Sequence, residues 1–177
     1  IGEYSWGADP ETGYLPWIHD AVTAAGDDLP TQFDDGTSTG EIDLDTVVEL
    51  EPDLILAPWS GITQEQFDTL NQIAPTVAYP EKAWTITWTE QIQLIADAGG
   101  RPEQAQGLID GINAEFADVA AAHPEFADTT FSYIYTTPST RGVFLPGEQR
   151  VAMLDGMGLV QDSVVDTLDE ADGTASA

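Results

Sequence analysis

Glu51-Pro52-Asp53-Leu54-Ile55-Leu56-Ala57-Pro58-Trp59-Ser60-Gly61, followed by Ile62 to Pro75 and then Thr76-Val77-Ala78-Tyr79, reads as strand, loop, helix, strand. Leu54 to Ala57 is short, wholly apolar and bounded by proline, the pattern of a strand buried on both faces of a parallel sheet. Thr63 and Gln66 have capping-box spacing, and Phe67, Leu70 and Ile73 recur at helical intervals. Pro75 stops that helix, and Thr76 to Tyr79 supplies the next strand. A strand–helix–strand unit of this length predicts a parallel, right-handed crossover.

Upstream, Trp17 to Ala25 is a candidate helix, and Asp43 is placed to cap a short helix carrying Leu44, Val47 and Val48. Downstream, Thr87 and Glu90 repeat the capping-box spacing before a helix that runs through Ile92, Ile95 and Ala96 to Gly99-Gly100. Pro102 then opens the longest periodic stretch. Ala105, Leu108, Ile109, Ile112, Phe116 and Val119 lead to His123-Pro124. About twenty residues at 1.5 Å each make a rod of roughly 30 Å. Beyond it, Phe131 to Tyr135 and Val143 to Leu145 read as strands, and a helix with Val151, Leu154 and Met157 ends at Gly158.

Composition narrows the function. In 177 residues, 32 acidic side chains face only 4 basic ones, a formal charge of −28. Such a surface repels nucleic acid and anionic lipid headgroups. It suits an exported protein or one living in high salt. There is no cysteine, so disulfides, thiolate metal sites and cysteine nucleophiles are excluded. No G-x-S-x-G elbow, phosphate-binding glycine loop or H-E-x-x-H motif occurs, and Asp172-Gly173 has Leu168 where a calcium loop needs its first ligand. His19, on a candidate helix near Trp17, and His123, at a helix end before Pro124, have no evident catalytic partner in the sequence, and neither a triad nor a histidine metal cluster is expected. An enzyme is not expected.

The order of these pieces resembles the class of periplasmic binding proteins that serve siderophore, haem and cobalamin importers. The resemblance rests on Asp43 to Leu56 (helix, Pro52-Asp53-Leu54-Ile55, strand), on Gly61-Ile62-Thr63 with Leu70 to Val77, on the Trp88–Gly99 helix, on the long helix after Pro102, and on Val143 to Leu159. It implies an α/β fold of two Rossmann-like lobes joined by one rigid helix: residues 1–100, 101–123 and 124–177 here. Against that template the chain is expected to be short at both ends. Ile1-Gly2-Glu3-Tyr4 reads like a domain interior, and Asp169 to Ala177 like a loop.

The resemblance implies capture of a ferric siderophore and delivery to an ABC transporter permease. The address would be extracytoplasmic, periplasmic or lipid-anchored, and the protein a monomer with no cofactor of its own. Iron would be coordinated by the chelator. Haem or a corrinoid is the alternative cargo, and a flavodoxin-like enzyme or sensor the alternative class. The latter predicts a glycine-rich phosphate loop, which the sequence lacks.

Ligands of open α/β sheets sit at loops leaving the carboxyl ends of strands. Those loops carry Trp59, Ser60, Trp84, Tyr135 and Arg141, the candidate ligand-binding residues. Flat aromatic rings suit a large chelate, but they equally pack lobe edges. Arg141 is suited to carboxylate or hydroxamate oxygens, or to a surface ion pair. Arg150, in a helix first turn, reads as pairing locally. Gly36 to Gly40, where several siderophore binders place an arginine, has none, which favours a neutral or cationic chelate. Glu65 and Glu148 each open a helix. The resemblance implies that they dock with the permease; helix-dipole complementation is the plainer role.

Overall fold

The computed structural model describes residues 1–2, 7–36, 40–136, 141–168 and 174–176. The chain divides into two compact units, Ile1–Asp53 with Thr69–Pro75, and Leu54–Asp68 with Thr76–Ala177. In the first unit, α1 (Pro16–Ala25) starts on its proline and ends on Gly26 in the left-handed conformation. Helix α2 (Leu44–Glu49) is capped by Asp43, whose carboxylate accepts the Thr46 amide and hydroxyl at 3.1 and 2.7 Å. Val47, Leu70 and Ala74 are the buried apolar side chains among the described residues of this unit.

The two strands of the decisive crossover belong to the second unit. Strands β1 (Ile55–Ala57) and β2 (Thr76–Ala78) pair in parallel, with Ile55 opposite Thr76. Between them, α3 (Gln64–Ile73) opens on the expected capping box: Thr63 and Gln66 exchange side-chain and backbone hydrogen bonds at 2.8 and 3.2 Å. One expectation needs correcting. Leu56 is 43% exposed, so β1 is not buried on both faces. Its described strand partner is β2 alone.

Helix α4 (Trp88–Ala98) has a complete capping box. Thr87 Oγ1 accepts the Glu90 amide at 3.2 Å, and Glu90 Oε2 takes the Thr87 amide at 3.0 Å and the hydroxyl at 2.7 Å. These bonds, the hydroxyl foremost, hold the Glu90 carboxyl below the ordinary glutamate value of 4.5. A depressed carboxyl stabilises the fold above its unfolded value, and that contribution is lost as pH falls through the folded value. Thr87→Ala is therefore expected to cost about 1 kcal/mol near neutrality, a melting shift of roughly 2–4 °C for a chain of this size. The deficit should shrink in acid as Glu90 protonates; thermal melts of both proteins followed by circular dichroism check it.

Helix α5 (Pro102–Ala122) occupies the predicted span. It packs against α4 through an edge-to-face contact of Phe116 with Trp88, ring centroids 6.1 Å apart. It also packs against α6 (Gln149–Gly156), where a Cβ on Gly156 would come within 2.7 Å of Phe116. One aromatic side chain thus ties α5 to two neighbours.

The predicted strand from Phe131 to Tyr135 is two strands. β3 (Thr130–Phe131) pairs in parallel with β6 (Val160–Gln161), whereas β4 (Ile134–Thr136) pairs antiparallel with β5 (Arg141–Phe144). The chain changes sheets at Ser132-Tyr133, and the apolar pattern alone does not register that step. β7 (Thr174–Ser176) completes the antiparallel sheet on the other edge of β5. Val143, Leu145 and Val165 form the core cluster here, with Leu168 against it.

Among the described residues Glu148 and Arg150 form an ion pair, and His19 and His123 hydrogen-bond to Asp20 and Glu125. With 32 acids and 4 bases, most of the charge cannot be neutralised internally. Raising salt from 0.01 to 1 M shortens the screening length from about 30 to about 3 Å. The melting temperature is expected to rise steadily across that range in differential scanning calorimetry. A fall would mean that self-repulsion is not a destabilising factor in this chain.

Candidate functional site

Trp59 follows β1 by two residues, and the turn Pro58-Trp59-Ser60 is braced from within. Ser60 Oγ donates to the Ala57 carbonyl at 2.8 Å, closing the strand end, and the Ser60 carbonyl accepts the Trp84 amide at 3.3 Å. That second bond draws the loop after β2 onto the loop after β1. Trp84 stands edge-on to Trp59, centroids 5.0 Å apart and planes at 81°. Trp84 has φ +64, a left-handed conformation costly for a bulky residue. Tertiary packing holds it there: the indole lies so close to Gly61 that a Cβ at that position would meet Nε1 at 2.7 Å.

A second aromatic group comes from the antiparallel sheet. Tyr135 and Phe144 lie 5.2 Å apart, Tyr133 and Phe144 5.6 Å. Tyr135 is opposite Gly142, where its ring covers the space a side chain would fill. Arg150 joins the two groups. Its guanidinium carbon lies 3.9 Å from the Phe144 ring centre and 5.9 Å from that of Trp59, within cation–π reach of both. The guanidinium is fixed from behind by Glu148, whose Oε1 accepts Nε at 2.9 Å and lies 2.8 Å from Nη2. Glu148 Oε2 accepts the Arg150 amide at 2.8 Å and so caps α6. Next to it, Gln149 Nε2 donates to the Ile86 carbonyl at 2.9 Å and to Gln91 Oε1 at 2.8 Å.

The sequence-derived candidates therefore fare differently. Trp59, Trp84 and Tyr135 fall on one aromatic assembly with Phe144 and Arg150, two residues the sequence reading left out of the site. Ser60 sits in the same loop, with its hydroxyl engaged by the strand end. Arg141 is exposed at the start of β5, opposite Thr136, and makes no ion pair with the described residues. Residues 137–140, 37–39 of the glycine-flanked segment and Asp172-Gly173 lie outside the described residues. Arg150 does pair locally, as its position in a helix first turn suggests, and it stacks as well. Glu65 is exposed in the first turn of α3. The Glu148 side chain is only 4% exposed, so any contact with a partner requires the Arg150 pair to open.

Two polar details bear on what the site can accept. Trp59 Nε1 is buried without a hydrogen-bond partner among the described residues. The Arg150 side chain remains 41% exposed. Among the described residues, no three His, Asp or Glu side chains converge as a metal site, and no helix is long and apolar enough to cross a membrane.

Comparison with solved structures finds the same fold. PiaA of Streptococcus pneumoniae TIGR4, in complex with ferrichrome, superposes with a TM-score of 0.82 at 26% identity, covering 97% of this chain and 58% of PiaA. A periplasmic solute binding protein of Mycobacterium smegmatis gives 0.75 at 23% identity, covering 99% and 57% of the two chains. SirA of Staphylococcus aureus, complexed with staphyloferrin B, gives 0.65 at 17% identity, covering 94% and 55%. The chain thus spans little more than half the length of these relatives. No curated protein matches it in sequence. The periplasmic binding protein family matches residues 18–162, a span that includes the crossover, the long helix and both aromatic groups. With that much of its length matched, this α/β chain belongs to the periplasmic binding protein family.

Proposed function

We propose that the chain is the ligand-holding part of an ABC-importer substrate-binding protein, and that its cargo is a ferric siderophore. The observation that carries this reading is a wall of two aromatic pairs, Trp59–Trp84 and Tyr135–Phe144, bridged by the Arg150 guanidinium. Rings of this kind bury the flanks of a large, rigid chelate at small entropic cost, and a guanidinium offers donors to its oxygens. Arg141, at the mouth of the β4–β5 hairpin, is the second donor in this reading. PiaA and SirA, whose structures carry ferrichrome and staphyloferrin B, share the fold and support the choice of cargo.

In this reading α5 is the rod joining residues 1–100 to residues 124–177, and it keeps closure small. The protein works outside the cytoplasm as a monomer, the chelator holds the iron, and Glu65 contacts the permease, as Glu148 does only where its pair with Arg150 opens. Titration with ferric hydroxamate, catecholate and citrate complexes, with haem and a corrinoid in the same panel, tests the cargo through tryptophan fluorescence. Saturable quenching by an iron chelate is expected. A folded protein whose emission answers to none of the chelates would end the siderophore reading.

A further inference from the structure

The charge of the accepted chelate is written into the Glu148–Arg150 pair. Resting on the siderophore reading above, we infer that Glu148 is a specificity-determining residue that selects uncharged ferric chelates over polyanionic ones. A lone guanidinium between Trp59 and Phe144 would be a strong anion site. Here it is not alone. Two of the three guanidinium nitrogens, Nε and Nη2, are spent on one oxygen of Glu148. That carboxylate is itself 4% exposed, so water screens the pair little on its inner side. The wall therefore presents an arginine's shape and stacking surface with the net charge cancelled.

The rest of the molecule pushes the same way. The chain's formal charge is −28, so a trianionic complex approaches against the long-range field. Of the two cations in this reading the one stacked on the rings, Arg150, is already neutralised, which leaves Arg141 alone to offset it. Glu148 does more here than an ordinary cap requires. Serine or aspartate would cap α6 with a shorter side chain, whereas glutamate both accepts the Arg150 amide and reaches the guanidinium.

The test compares the affinity of the whole chain for a neutral ferric trihydroxamate and for a trianionic ferric tricatecholate at low salt, by tryptophan quenching. The wild-type protein is expected to prefer the neutral complex. Glu148→Gln leaves the cation uncompensated and should move the affinity ratio toward the trianion by about tenfold or more, an effect that shrinks in high salt. Glu148→Ser, which keeps a good helix cap, should do the same and serves if the glutamine variant folds poorly. In Glu148→Gln/Arg150→Gln both charges are gone, and the ratio should return toward wild type. Binding of the neutral complex with an unchanged ratio in the single variants would overturn the inference and leave the siderophore reading standing. Failure of every chelate to bind the wild-type protein would overturn both.

Discussion

Val151→Asp is expected to abolish folding. Val151 is 0% exposed, the most deeply buried side chain of the second unit, and sits in the first turn of α6 immediately after Arg150. A carboxylate there has no cation to meet, because the Arg150 guanidinium is already held by Glu148, and the new charge adds repulsion against that same glutamate. Burying an uncompensated charge costs several kcal/mol, against a total of about 5–15 kcal/mol for an ordinary domain. Val151→Ala separates charge from volume: it removes two methyl groups and should cost about 2 kcal/mol while leaving a cooperative transition. Far-ultraviolet circular dichroism and urea melts distinguish the two. An aspartate variant that melts like wild type would mean that α6 does not seat against a dry core, and the position of Arg150 would lose its support.

The parts of the fold that could be read from sequence are those fixed by local chemistry. Both capping boxes, Thr63 with Gln66 and Thr87 with Glu90, are formed as their spacing predicts, because each is closed by residues three apart. Helix α5 was legible for a related reason: Pro102 starts it, apolar residues recur along it, and His123-Pro124 ends it. The sheets were less legible. A two-residue strand such as β6 has no period to detect, and its pairing with β3 joins residues some thirty apart in sequence. The break at Ser132-Tyr133 is equally silent, since apolar residues continue on both sides while the hydrogen-bond partners change.

Much the same division runs through the site. Trp59, Trp84 and Tyr135 were visible as aromatics in strand-end loops. Their assembly depends on contacts no short window contains. The Ser60 carbonyl bonds to the Trp84 amide across more than twenty residues, and Arg150 reaches Trp59 across about ninety. Phe144 looked like an ordinary core residue, and it is buried, yet one face of its ring carries the guanidinium. A partial signal did exist. Glutamate two residues before arginine at a helix start lets the carboxylate cap the helix and reach the guanidinium together.

Trp59 decides whether this assembly binds anything, and two substitutions there separate its ring from its N–H. Trp59→Ala removes the partner of Trp84, whose left-handed backbone is held by that packing, and opens the space beside Arg150. Chelate affinity should fall at least about tenfold, equivalent to about 1.4 kcal/mol. Trp59→Phe keeps an aromatic face but deletes Nε1, which is buried without a partner. An unsatisfied buried donor costs about 1–3 kcal/mol, so the phenylalanine variant should be no less stable than wild type. If the wall acts by ring contact, Trp59→Phe stays within about threefold of wild-type affinity, since only a few tenths of a kcal/mol then change. If the indole turns to donate to a chelate oxygen on binding, the phenylalanine variant weakens as far as alanine does while remaining as stable. An alanine variant that is folded and binds every chelate as tightly as wild type would show that cargo does not rest on this wall.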